Sequence, residues 1–103
     1  MVTFNARHGN PLEMMRITAT AKGRVQGVGY RYYVRQCAEE TGVCGYAKNM
    51  PDGSVLIVAE GNRQNLDVFT RMLWATGNLS IRVDDLFITH GEVTGEFSSF
   101  GIR

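Results

Sequence analysis

The sequence predicts an α+β domain of βαββαβ order, with two helices on one face of a mainly antiparallel sheet of four to five strands. Three observations predict it. Several short stretches alternate apolar and polar residues with a period of two, the pattern of half-buried strands. Two longer stretches repeat at helical spacing, and each runs into a glycine. Between these helical stretches lie two strand-like runs joined by a Pro-Asp-Gly turn, which reads as a β-hairpin. The chain has 103 residues, enough for one small domain with its own core.

Each element has its own signal. Along Arg16–Lys22, Ile17, Ala19 and Ala21 share one face, and Arg16, Thr18, Thr20 and Lys22 the other. A glycine-rich turn, Gly23 to Gly29, follows. Val34, Cys37, Ala38 and Thr41 then fall at i, i+3, i+4, i+7, and Gly42 stops the first helix. Val43–Asn49 and Ser54–Glu60 read as strands around Pro51-Asp52-Gly53, where proline presets φ and glycine accepts a positive one. Val55, Ile57 and Ala59 alternate with Leu56 and Val58, so both faces of that second strand are apolar and its place is central. Asn62 suits the N-cap of a helix over Arg63–Thr76, with Leu66, Phe69 and Leu73 on its inner face and Gly77-Asn78 at its end. Ile81–His90 is a weaker strand whose alternation breaks at Asp84-Asp85. A loop over Gly91–Glu96 leads to a short edge strand within Phe97–Arg103, with Phe100 and Ile102 inward. This order is the ferredoxin-like, split βαβ arrangement. That fold hosts many functions, so function must be read from a site.

Residues 1–13 show no periodicity, carry Gly9, Asn10 and Pro11, and read as a flexible N-terminal arm before a domain over residues 14–103. The arm has no apolar core of a secretory signal, so the expected location is cytoplasmic. Cys37 and Cys44 are too few for a disulfide scaffold or a four-cysteine zinc site, and read as small, partly buried apolar residues.

The composition narrows the function. Eleven Lys and Arg stand against ten Asp and Glu, and 44% of residues are hydrophobic. Near-neutral charge argues against a nucleic-acid binder, and no apolar run reaches the roughly 18 residues of a membrane span. His8 and His90 are far apart and form no metal or nucleophile pair. Neither cysteine has an arginine six residues on, and no nucleotide-binding P-loop occurs. Asp84 and Asp85 would point to opposite faces of a strand, so they would not share an ion. No cofactor and no metal are expected.

What remains is the segment from Gly23 through Arg24, Val25, Gln26, Gly27, Val28 and Gly29 to Tyr30 and Arg31. Glycines let several N–H groups converge on one point, and a helix N-terminus adds free N–H groups and a dipole that favours anions. Arg31, in the first turn of that helix, is a cation at the positive end of the dipole. A bound anion would explain it, since a guanidinium fork matches phosphate oxygens. Pairing with Glu39 or Glu40 is the alternative. Asn49 ends a strand just before the turn. Its amide can hold a water molecule, or it can simply help form the turn.

At these two segments the sequence resembles the acylphosphatase family. The match is carried by Gly23 to Arg31 and by Gly45-Tyr46-Ala47-Lys48-Asn49 leading to Asp52-Gly53-Ser54-Val55 and Gly61. It extends from about Met15 to Arg103, and Phe100-Gly101-Ile102-Arg103 resembles the family's last strand. The resemblance implies metal-independent hydrolysis of a carboxylic–phosphoric anhydride to carboxylate and phosphate. It implies that Arg31 binds the phosphate, that the loop from Gly23 to Tyr30 cradles it with the amides of Gln26 through Tyr30 as donors, and that Asn49 positions the attacking water. Tyr30 stands where Phe or Met is usual, and Met50 follows Asn49 where some members have a small hydroxyl residue. Tyr32, Tyr33 and Trp74 are read as core or rim packing, Arg24 as turned outward, and Tyr46 as packing behind the site. The expected partner is a small-molecule acyl phosphate, without nucleic acid or membrane, and the protein is expected to be a monomer. The chain ends at Arg103, which favours a free-standing enzyme over a domain of a larger carbamoyl-phosphate-handling protein. A non-catalytic anion-binding module is the alternative from another class.

Overall fold

The computed structural model describes residues 10–103. The strands are β1 (Met14–Arg24), β2 (Cys44–Asn49), β3 (Val55–Asn62), β4 (Arg82–Gly91) and β5 (Phe100–Ile102); the helices are α1 (Tyr30–Thr41) and α2 (Arg63–Met72). The sheet order is β4-β1-β3-β2-β5. Every neighbouring pair is antiparallel except β2 with β5, which is parallel. This is the predicted ferredoxin-like fold, with the optional fifth strand present.

Alternation places the core. Ile17, Ala19 and Ala21 of β1, Ala47 of β2, and Val55, Ile57 and Ala59 of β3 are buried under the helices, against Val34, Cys37 and Ala38 of α1 and Leu66 and Phe69 of α2. β3, apolar on both faces, sits in the middle of the five strands as its pattern required. Asn49 pairs with Val55, in the same phase as Ala47 with Ile57. It therefore belongs to the helix-covered face, where α1 lies.

Most elements shift by a residue or two from their sequence-based bounds, and three departures stand out. α2 stops at Met72 rather than Thr76. The hydroxyls of Tyr30 and Tyr33, both on α1, donate to the carbonyl oxygens of Leu73 and Met72 at 2.6 Å each. These bonds satisfy carbonyls that a longer helix would have used, and the chain then turns through Ala75, whose φ is 49°. The broken alternation at Asp84-Asp85 is a β-bulge: Lys22 pairs with Asp85 but Gly23 with Val83, leaving Asp84 unmatched. β1 is longer than expected and includes Gly23 and Arg24.

Of the expected arm, residues 1–9 lie outside the described residues. Residues 10–13 form a turn on α2, where Pro11 and Glu13 carbonyls accept from the amides of Gln64 and Arg63. Asn62 caps the same helix end by accepting from Asn65 N–H at 2.7 Å.

β4 and β5 occupy opposite edges, so the segment between them crosses the face that the helices leave open. It is anchored there on Glu60, which is 1% exposed. Arg16 Nη1 donates to Glu60 Oε2 at 2.7 Å, the Thr94 amide and hydroxyl donate to the same oxygen at 3.0 Å, and the Gly95 amide donates to Oε1 at 3.0 Å. Phe97 then packs edge-on against Tyr46. Cys37 is buried, Cys44 is half-buried, and both are free thiols. Among the described residues, no helix is long and apolar enough to cross a membrane.

Candidate active site

β1 ends where α1 begins, and the loop between them carries the glycine-rich segment. Gly27 and Gly29 adopt φ of 72° and 80°, left-handed values that a side chain would resist. Gly29 is also the N-cap of α1. It offers no side-chain oxygen to the helix amides, and no acidic residue stands in the first turn. The first main-chain bond after the loop is Tyr33 N–H to Gly29 carbonyl, at 3.0 Å. Among the described residues, none of the main-chain N–H groups from Gln26 to Arg31 donates to an acceptor in the chain. Free amides at a helix start, with its positive dipole end, are chemically suited to receive an anion.

The loop borders a cavity of about 190 Å³ lined by Val25, Gly27, Gly29, Tyr30, Arg31, Tyr32 and Asn49. Arg31 and Asn49, 18 positions apart in sequence, thus meet at one cavity. Arg31 does not take Glu39 or Glu40 as a partner; its Nη1 donates to the main-chain oxygen of Arg103 at 2.8 Å. That bond uses one donor of the guanidinium and leaves others to face a ligand. Asn49 Oδ1 is buried and accepts no hydrogen bond from the chain. A buried acceptor without a donor is costly in a purely structural residue, about 1–3 kcal/mol, so its position calls for a ligand proton.

The β2–β3 turn fixes Asn49. Met50 N–H donates to the Ser54 carbonyl at 2.9 Å, and Gly53 N–H to the Met50 carbonyl at 3.1 Å. Asp52 Oδ1 accepts from the Ser54 amide and hydroxyl, which holds the Asp52 carboxyl below the ordinary range. Gln26 ties this turn to the glycine-rich loop: its Nε2 donates to the carbonyls of both Met50 and Ser54 at 2.8 Å.

Not every residue of the expected loop reaches the cavity. Gly23 and Arg24 are still strand, paired with Val83 and Arg82 of β4, and Arg24 is exposed. Gln26 and Val28 are half-buried beside the cavity without lining it. Tyr33 is structural, through its bond to Met72. Tyr46 packs on the open face of the sheet, with the Arg103 guanidinium 3.9 Å from its ring centroid. Two contributors went unpredicted: the Gln26 side-chain bridge and the Arg103 oxygen on Arg31. Tyr32, expected in core or rim packing, lines the cavity beside Arg31.

A family model described as Acylphosphatase matches residues 17–102. The chain is 41% identical over 90 residues to an acylphosphatase of Methanospirillum hungatei, covering 87% of this chain and 98% of that one. It is 45% identical over 82 residues to an acylphosphatase of Thermus thermophilus, covering 80% and 92%. Among solved structures, an acylphosphatase from Coxiella burnetii matches with a TM-score of 0.80 at 34% identity, over 87% of this chain and 93% of that one.

Proposed function

The chain belongs to the acylphosphatase family, and from that premise we propose that the cavity between α1 and β2 hydrolyses the carboxyl–phosphate bond of small acyl phosphates. The phosphoryl group sits in the cradle. Its non-bridging oxygens receive main-chain N–H groups of the Gln26–Arg31 segment and the free donors of the Arg31 guanidinium. The Arg31 contact with Arg103 orients the fork before substrate arrives. Asn49, with its Oδ1 buried at the cavity, holds the attacking water by accepting a hydrogen bond from it.

Water attacks phosphorus, the bond from phosphorus to the acyl oxygen breaks, and its electron pair leaves on the carboxylate. The conjugate acid of that carboxylate has a pKa near ~4, so it departs without a general acid at neutral pH. The water's proton passes to a phosphate oxygen of the substrate. A loose transition state spreads charge over the equatorial oxygens, so catalysis rests on positioning and electrostatics. The observation that carries this reading is the meeting of Arg31, the free amides and the unpartnered Asn49 oxygen at one cavity.

The test is hydrolysis of benzoyl phosphate by wild type, Arg31→Ala, Arg31→Lys and Asn49→Ala. Arg31→Ala should abolish binding and turnover, and Arg31→Lys should not rescue, because a point charge cannot reproduce the fork. Asn49→Ala should lower kcat by roughly a hundredfold or more with a small change in KM. Near-normal kcat in Asn49→Ala removes the water-positioning role. A folded wild type that binds phosphate without turnover removes the enzymatic reading and leaves an anion-binding module.

A further inference from the structure

The first turn of α1 holds three tyrosines, and two have structural work. Tyr30 is buried with its hydroxyl on Leu73, and Tyr33 has its hydroxyl on Met72. Tyr32 has neither role. It is 60% exposed, and its hydroxyl makes no hydrogen bond among the described residues. Helix propensity does not explain it either, since Tyr is a poorer choice than Lys, Glu or Gln at an exposed helical position. Yet its ring is held in place: the Arg35 guanidinium, one turn on, lies 5.3 Å from the ring centroid. And it lines the cavity, next to Arg31.

The cavity's lining gives Tyr32 a task. With the phosphoryl group in the cradle beside Arg31, the acyl group meets the lining that the phosphoryl group leaves open. Of the apolar lining residues, Val25 and Tyr30 are buried. Tyr32 alone presents a large apolar surface there.

We propose that the Tyr32 ring, braced by Arg35, is the platform for the acyl group and gives the enzyme a preference for aromatic acyl phosphates over acetyl phosphate. This rests on the phosphate lying in the Gln26–Arg31 cradle. Stacked aromatic pairs gain about 0.5–1.5 kcal/mol beyond their area burial, a factor of roughly three to ten in affinity. Tyr32 is a specificity residue in this scheme and takes no part in the bond-breaking step.

The experiment compares kcat and KM for benzoyl phosphate and acetyl phosphate in wild type, Tyr32→Phe and Tyr32→Ala, with inorganic phosphate as competitive inhibitor. In Tyr32→Ala the benzoyl-to-acetyl ratio of kcat/KM should fall roughly three- to tenfold, through a raised KM for benzoyl phosphate. Tyr32→Phe, which keeps the ring, should hold the wild-type ratio. The inhibition constant of phosphate, which has no acyl group, should stay within about twofold in both. An unchanged ratio in Tyr32→Ala overturns the proposal. So does a parallel loss for both substrates with weaker phosphate inhibition, which would mark a disturbed α1. Failure of the underlying cradle is visible separately, as wild-type turnover that phosphate does not inhibit and that survives Arg31→Ala.

Discussion

At Gly45 the backbone of β2 runs at φ 144°, and a Cβ there would lie 1.9 Å from the Val58 carbonyl oxygen. Main-chain atoms on a central strand cannot move aside, so Gly45→Ala should destabilise the fold by about 2 kcal/mol or more, read as a lower urea midpoint. Tyr30→Phe is a gentler case. It removes the donor to the Leu73 carbonyl while keeping the ring, and should cost about 1–3 kcal/mol by the same measurement. Residues also differ in how far the sequence exposed their roles. Arg31 and Asn49 stand out in the sequence as a cation at a helix start and an amide before a turn, but each also has a plain structural explanation, and only the resemblance to the acylphosphatase family chooses between the two readings. The parts played by the Gln26 side chain and the Arg103 oxygen do not stand out. Gln26 acts through carbonyls of the β2–β3 turn, and Arg103 through an oxygen 72 positions from Arg31. Main-chain oxygens carry no signature in the side-chain sequence.

At the scale of elements, periodicity located both helices and the longer strands, because burial on one face imposes it; β2 is read from the turn beside it and the three-residue β5 from its apolar pair. Periodicity failed at ends set by neighbours. α2 ends four residues early because α1 supplies two hydroxyls to its last turn. The bulge at Asp84 erased the alternation of β4 locally, a break that the sequence showed without its cause. The cradle and the β2–β3 turn, adjoining different elements, are coupled by one carboxamide. Gln26→Ala should leave the fold intact but let Asn49 drift relative to bound phosphate. The expected outcome is a kcat lowered by about tenfold with a smaller change in phosphate inhibition, measured with benzoyl phosphate. A loss of both to the same degree would mean that Gln26 shapes the cradle itself.

At the scale of the whole molecule, the sequence placed the last strand at an edge, where β5 lies, but did not say which strand it would pair with. The pairing of β5 with β2, at the edge opposite β4, follows from the crossing of Thr94, Gly95 and Phe97 over Glu60 and Tyr46. Glu60 makes that crossing dependent on pH. Burial alone would raise its pKa, but the Thr94 amide, Arg16 and the Gly95 amide outweigh it and hold the carboxyl at about 2. A carboxyl whose folded pKa is depressed stabilises the fold above its unfolded value and loses that contribution as pH falls through the folded one. Stability should therefore decline between about pH 4.5 and about pH 2. Glu60→Gln should be less stable at pH 7 and show a flatter profile across that window, measured by urea denaturation at several pH values.

The bond from Arg31 to Arg103 has a kinetic consequence. β5 is three residues long and pairs with a strand more than fifty positions earlier. So short a strand offers few ladder bonds against the entropy of closing that loop, so its docking comes late in folding. The guanidinium fork is therefore set only when this last strand docks. Refolding followed by far-ultraviolet circular dichroism should finish before enzymatic turnover returns, and the delay between the two is the docking time of β5.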